Sequence, residues 1–229
     1  MADYSHKEAE HTPDEARKHD LKKIKANLRK IDKARVYRGF SADERRAVRK
    51  AEDLLNGRKV EGAYIIDKGG NVVWKNLTGR SKDSVRIDMN AARDNIVVHN
   101  HPFEMGKVSK LTTRAGNGLS DTDIRNAIRG NQRAVIAKSS DGYTYTLNRP
   151  RGGWTAEQRA HALDIGRDWT RLWNKYHREI GKPYVREAKT RKEMAVRDAR
   201  RNSAITARVN REIGKKYGLK IRRTMAASK

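Results

Sequence analysis

The sequence predicts an α/β (α+β) fold in which a mixed β-sheet core is flanked by basic helical extensions. Between residues 58 and 150, short β-branched and aromatic runs alternate with amphipathic segments, which is typical of such a core. The flanks carry eighteen of the twenty-five surplus positive charges. We therefore predict an N-terminal extension over residues 1–57, a core over 58–150, and an amphipathic helix followed by a basic helical tail over 151–229.

The N-terminal extension is predicted to contain two helices. Apolar residues recur at helical spacing among lysines between Asp14 and Ala34, which predicts the first helix. The second is predicted to begin at a capping box, Ser41-Ala-Asp-Glu44, and to end at Asn56-Gly57.

The core is predicted to open with strands over residues 63–66, 72–74, 84–87 and 96–98, with a short helix over 89–93. A helix over 121–129 and a hairpin formed by 134–137 and 143–147 are predicted to follow.

The C-terminal segment is predicted to begin with a helix capped by Thr155-Ala-Glu-Gln158. Its aromatic stripe, including Trp169, Trp173 and Tyr176, indicates a face that docks on the core or on a partner. Gly181-Lys-Pro183 is predicted to end this helix. Residues 184–229 hold fifteen Lys and Arg against four Asp and Glu, and they are predicted to be a tail or a helix that orders on a partner.

Composition excludes several classes of function. The 229 residues include no cysteine, which excludes disulfides, thiolate-bound metals and thiol catalysis. No apolar run approaches the ~20 residues of a membrane span, so we expect no membrane partner. The net charge of +25 predicts contact of the basic arms with nucleic acid or another polyanion. A solvated basic surface and an arm that binds an acidic protein shell are the alternatives.

A candidate metal site follows the predicted strand Asn95-Ile-Val-Val98. Because side chains two apart on a strand share a face, His99 and His101 can direct both imidazoles to one point. Asp123 offers a third ligand, and three protein ligands are typical of catalytic zinc. Glu61 is a candidate proton acceptor. Each residue also has an ordinary interpretation, since Ser120-x-x-Asp123 is equally a helix capping box and Glu61 a strand-end charge.

The order Glu61, His99-Asn-His101-Pro, then Ser120-x-x-Asp123 resembles the JAB/MPN (JAMM) metalloprotease family, and His-Asn-His-Pro is most similar to its RadC-like and prokaryotic branches. The runs 61–71 and 143–154, with His-Asn-His-Pro, are similar to phage-associated JAB domains. The resemblance covers roughly residues 61–147 and implies a cytidine-deaminase-like, JAB-type fold. It also implies that His99, His101 and Asp123 bind Zn²⁺, that Glu61 is the general acid and base, and that Ser120 helps to stabilise the oxyanion. The segment 102–119 is longer than the family's usual spacing, and it could act as a lid or substrate clamp.

The sequence therefore predicts a zinc-dependent peptide or isopeptide hydrolase, phage- or mobile-element-encoded, whose basic arms contact nucleic acid. The alternative is a polyanion-binding phage structural or packaging protein that uses the core as a scaffold. A His-Asn-His nuclease is excluded because those enzymes spread the three residues over a ββα unit. The expected partners are a protein or peptide substrate, nucleic acid and phage structural proteins, and the expected location is the bacterial cytoplasm or the virion.

Overall fold

A computed structural model of the chain describes residues 37–78, 85–102, 118–139, 142–185 and 191–225, with side chains described except at 181–200 and 225. The helix predicted between Asp14 and Ala34 and most of the predicted lid or clamp segment lie outside these residues.

The described helices are α1 (Ala42–Leu55), α2 (Met89–Ala92), α3 (Asp121–Arg129), α4 (Ala156–Ala160), α5 (Ala162–Val185) and α6 (Arg191–Lys216). The described strands are β1 (Ala63–Ile66), β2 (Val72–Asn76), β3 (Ile96–His101), β4 (Ala134–Ser139), β5 (Tyr143–Asn148) and β6 (Ile221–Met225). Residues 85–87, the described part of the strand predicted over 84–87, form no regular structure.

The six strands form one mixed sheet in the order β2-β1-β3-β4-β5-β6. Strands β3 and β4 are parallel, and the other neighbours are antiparallel. The parallel pair requires a crossover, which contains α3. The predicted α/β class with a mixed sheet is therefore confirmed.

Helices cover both faces of the sheet. Val48 and Leu55 of α1 pack with Val98 on one face. On the other face, Val97 packs in a cluster that also contains Ile124 of α3 and residues of α5 and α6. Strand β3 lies between these layers and all six of its residues are buried, so polar groups near its end are shielded from bulk water.

The C-terminal segment differs from the predicted helical tail. Ile205, Val209 and Ile213 of α6 are fully buried and join the same core cluster as Trp169 of α5, whose indole Nε1 donates to Asn210 Oδ1 at 3.1 Å. Beyond α6, β6 pairs with β5 at the edge of the sheet. The segment is therefore not a wholly helical tail, because its residues 221–225 form a strand. Helix α6 packs within the chain since one apolar residue every four positions is enough to contact the aromatic face of α5.

Helix α5 confirms one prediction and corrects another. Trp169, Trp173 and Tyr176 are buried in the core cluster, so the aromatic stripe docks on the core. The helix continues to Val185 instead of ending at Gly181-Lys-Pro183. Since Pro183 lies in the last turn, its missing N–H disrupts the helix only near its end. Within the described part of the chain, no helix combines the length and apolar character needed to cross a membrane.

Candidate metal centre

The end of β3 brings His99 and His101 side by side. Both side chains lie on the sheet face that packs against α3, as their spacing of two on the strand predicts. Both are buried, and their Nε2 atoms are 2.9 Å apart. The flanking strands hold this arrangement, because His99 is in register with Ala63 of β1 and with Ala137 of β4.

Asp123 reaches the histidines from the first turn of α3. Its Oδ1 is 3.2 Å from His99 Nε2, and its Oδ2 is 3.5 Å from His101 Nε2. The same Oδ2 accepts hydrogen bonds from the backbone N and the Oγ of Ser120, both at 2.8 Å. The predicted capping box is therefore present, and it also fixes the carboxylate that faces the histidines.

These three residues form a buried group that could hold a metal ion. One ligand atom from each of His99, His101 and Asp123 can be chosen so that all lie within 4.8 Å of one another. The donor set, two imidazole nitrogens and a carboxylate oxygen, is one that transition metals bind in proteins.

The pKa values of the three groups are shifted in different directions. Burial acts to lower the pKa of His99, but the carboxylates of Asp123 and Glu61 outweigh it and raise that pKa. Burial and the adjacent His99 lower the pKa of His101 to about 4. Burial acts to raise the pKa of Asp123, yet the two histidines and the Ser120 backbone hold it well below its usual range. The environment thus favours the protonated form of His99, the neutral form of His101 and the ionised form of Asp123.

Both imidazoles present Nε2 to the shared point. Their Nδ1 atoms are buried, and within the described residues neither makes a hydrogen bond of full geometry. The backbone at Ile136 nevertheless acts to raise the pKa of His99, and that at Gly118 acts likewise on His101. A hydrogen bond from Nδ1 to a peptide carbonyl would favour the tautomer that leaves the Nε2 lone pair available.

Glu61 lies at the margin of this group. It immediately precedes Gly62 and β1, its side chain is buried, and its Oε1 is 3.5 Å from His101 Nε2. Glu61 is therefore close to the group formed by His99, His101 and Asp123 but is not one of its three residues. This position suits a carboxylate that exchanges protons with a molecule bound at that group.

Ser120 is the N-cap residue of α3, and its hydroxyl makes the capping hydrogen bonds. Its Oγ donates to Asp123 Oδ2 at 2.8 Å and accepts from the Asp123 backbone N at 3.1 Å. In this arrangement the hydroxyl orients Asp123, and the oxyanion role implied by the family resemblance stays a prediction.

Asn100 is a residue whose importance the sequence analysis missed. Its Oδ1 accepts from the Gly62 amide at 2.7 Å, and its Nδ2 donates to the Val60 carbonyl at 3.3 Å. These bonds hold the backbone on both sides of Glu61. The available signal was a polar amide between two buried strand histidines, because a buried amide requires partners.

Comparison with protein-family models, curated proteins and solved structures found no match to this chain. The functional assignment therefore rests on the residues and geometry of the site.

Proposed function

We propose that the protein is a zinc-dependent hydrolase of peptide or isopeptide bonds. The observation that carries the proposal is the convergence of His99, His101 and Asp123 at the buried end of β3. Three protein ligands leave a fourth position open, which is the arrangement of catalytic zinc sites rather than structural ones.

The spacing of the donor atoms supports zinc. Ligand bonds of 2.0 to 2.2 Å in a tetrahedron place donor atoms about 3.3 to 3.5 Å apart. His99 Nε2 lies 3.2 Å from Asp123 Oδ1, and His101 Nε2 lies 3.5 Å from Asp123 Oδ2, which are near this spacing. The two Nε2 atoms are 2.9 Å apart, so the rings would have to separate by a few tenths of an ångström around a bound ion. Two imidazoles also favour zinc over Mg²⁺ or Ca²⁺, which prefer oxygen ligands.

In this proposal, bound zinc would polarise the scissile carbonyl and lower the pKa of a water to about 7. Glu61 takes the proton from the attacking water and returns it to the leaving amine. The Asn100 bonds to Gly62 and Val60 keep the Glu61 backbone in position for both transfers. Burial of the histidines excludes bulk water from the reacting groups.

The choice of a peptide or isopeptide bond rests on the resemblance to the JAB/MPN family. The order of Glu61, His99, His101, Ser120 and Asp123 supports it. The geometry adds support, since the histidines and Asp123 lie together with Glu61 beside them.

Glu61→Gln tests this function because it preserves shape but cannot carry the proton. Hydrolysis of fluorogenic peptides and branched isopeptides should fall by roughly a hundredfold or more. Zinc content and the melting temperature should persist. Glu157→Gln, at an exposed position in α4, is the matched control and should leave turnover unchanged. Turnover that is equal in wild type and Glu61→Gln would contradict the assigned role, and zinc binding without any hydrolysis would favour the scaffold alternative.

A further inference from the structure

A second feature of the chain is a cationic cleft of about 730 Å³. Arg133, Arg149 and Arg222 line it from the ends of β4, β5 and β6. Arg38, Lys68, Arg151 and Lys220 line it from the adjoining connections. Seven basic side chains thus meet in one concavity, and no acidic side chain is among its described lining residues.

Two of these arginines form a fixed base. Arg133 Nη2 donates to Glu44 Oε2 at 2.8 Å and to the Gly39 carbonyl at 3.0 Å. Arg149 pairs with Asp94 and donates to the Asn131 carbonyl at 2.9 Å. These two carboxylates balance two of the charges, and the four basic side chains of the adjoining connections keep the cleft cationic.

The remaining charges lie where a ligand can reach them. Arg38, Lys68, Arg151 and Lys220 are all exposed. Their long side chains can reorient towards phosphates, whereas the paired arginines below them stay in place. The cleft therefore combines a fixed cationic base with an adaptable cationic rim.

We propose that this cleft binds the phosphodiester backbone of a nucleic acid. A concave cluster of cations suits a charged strand, while an anionic membrane presents a broad surface that a recess contacts poorly. Phe40, the aromatic residue among the lining side chains, is buried with the Arg133 guanidinium 5.5 Å from its ring centroid. The cleft thus offers charge for phosphates without an exposed aromatic platform for bases, which gives binding with little sequence preference.

The location makes this proposal independent of the hydrolase function. The cleft lies where β4 begins, and the candidate metal centre lies at the other end of the parallel strand β3. A six-residue strand spans roughly 17 Å from its first to its last Cα, so the cleft and the candidate metal centre are separate sites that share no residue. The binding residues also come from both the core and the flanks, whereas the sequence analysis placed nucleic-acid contact in the arms alone.

The test is fluorescence anisotropy of labelled 20-nucleotide DNA and RNA, single-stranded and duplex, between about 50 and 200 mM salt. The cleft variant carries Arg38→Gln, Lys68→Gln, Arg151→Gln and Lys220→Gln. A control of equal charge carries Gln at four exposed lysines outside the cleft, Lys50, Lys75, Lys175 and Lys215. A milder variant, Arg38→Gln with Lys220→Gln, provides a second measurement with less disturbance.

We expect the cleft variant to lose at least tenfold in affinity at low salt, with the milder variant intermediate and the control near wild type. Each lost phosphate contact should also reduce the slope of log K against log salt by about 0.7 to 0.9. Equal losses in the cleft variant and the control would overturn the proposal in favour of diffuse attraction. The proposal would also be overturned if wild-type protein did not bind nucleic acid at 50 mM salt but bound phosphatidylserine vesicles or polyglutamate.

Discussion

Asn100 and Gly62 are joined by a 2.7 Å hydrogen bond from the Gly62 backbone amide to the Asn100 side-chain oxygen. Asn100 lies between the two histidines of β3, and Gly62 directly follows Glu61. The strand that presents the candidate metal ligands therefore also fixes the segment that carries the candidate proton carrier.

Replacing Asn100 with Ala should separate positioning from metal binding. The change leaves the buried Gly62 amide without its partner, at a cost of about 1 to 3 kcal/mol in the free energy of unfolding. We expect kcat for peptide hydrolysis to fall roughly tenfold to a hundredfold through misplacement of Glu61, with zinc content unchanged. Steady-state kinetics, urea denaturation and metal analysis measure these effects.

Asn100→Asp is the conservative control, since it keeps an oxygen that can accept from the Gly62 amide but loses the donor to Val60. It should recover part of kcat. A change confined to KM, or loss of zinc in Asn100→Ala, would contradict a positioning role.

Ser120→Ala should affect the metal centre through Asp123. Loss of the N-cap hydroxyl should lower the stability by about 1 kcal/mol, because Asp123 N and Oδ2 both lose a partner. It should also weaken zinc binding by about tenfold to a hundredfold, the usual effect of removing a group that orients a ligand. Competition with a chromophoric chelator measures the affinity.

Thr155→Ala is the matched control because Thr155 caps α4 through the same kind of capping box. Its loss of stability should be similar, with zinc affinity unaltered. Equal zinc affinity in Ser120→Ala and wild type would show that the capping hydroxyl does not orient a metal ligand.

The metal-free protein should be most stable near the ordinary histidine pKa of about 6.5. His99 has a raised pKa, so its contribution is present below pH ~6.5 and is lost as the pH rises through the raised value. His101 has a pKa lowered to about 4, so its buried neutral ring costs stability as the pH falls from 6.5 towards 4. Asp123, with a lowered pKa, keeps contributing until the pH falls through that value.

Urea denaturation of chelator-treated protein between pH 4 and 8 measures this profile. His101→Gln should flatten the acid limb between pH 6.5 and 4, because the group that must protonate on unfolding is gone. His161→Gln, which alters an exposed histidine that contacts Asp164, is the control and should leave that limb in place. An acid limb identical in wild type and His101→Gln would contradict the assignment.

Local patterns predicted much of the fold. The β-branched runs at Ile65 and Val97 and the capping boxes at Ser41, Ser120 and Thr155 all depend on interactions within a few residues. Strand β6 could not be found this way, because it exists through pairing with β5, some eighty residues earlier in the chain. Leu54 is exposed whereas Leu55 is buried, because adjacent positions on a helix point in different directions.

Some features of the candidate site could also be predicted from local sequence, and others could not. The convergence of His99 and His101 follows from strand periodicity, and a capping box places Asp123 at the start of its helix. The Asn100 bonds depend on β1 lying beside β3 in one register, which a single sequence does not specify. The cationic cleft joins residues as distant as Arg38 and Arg222, so composition indicated its charge but not its place.

Metal content tests the central claim most directly. Wild-type protein purified without added chelator should contain close to one zinc per chain, as measured by inductively coupled plasma mass spectrometry. The double variant His99→Ala/His101→Ala should contain none, while His161→Ala should match wild type. Full zinc retention in the double variant, or wild-type protein that takes up no zinc even at micromolar concentration, would contradict a metal centre at the end of β3.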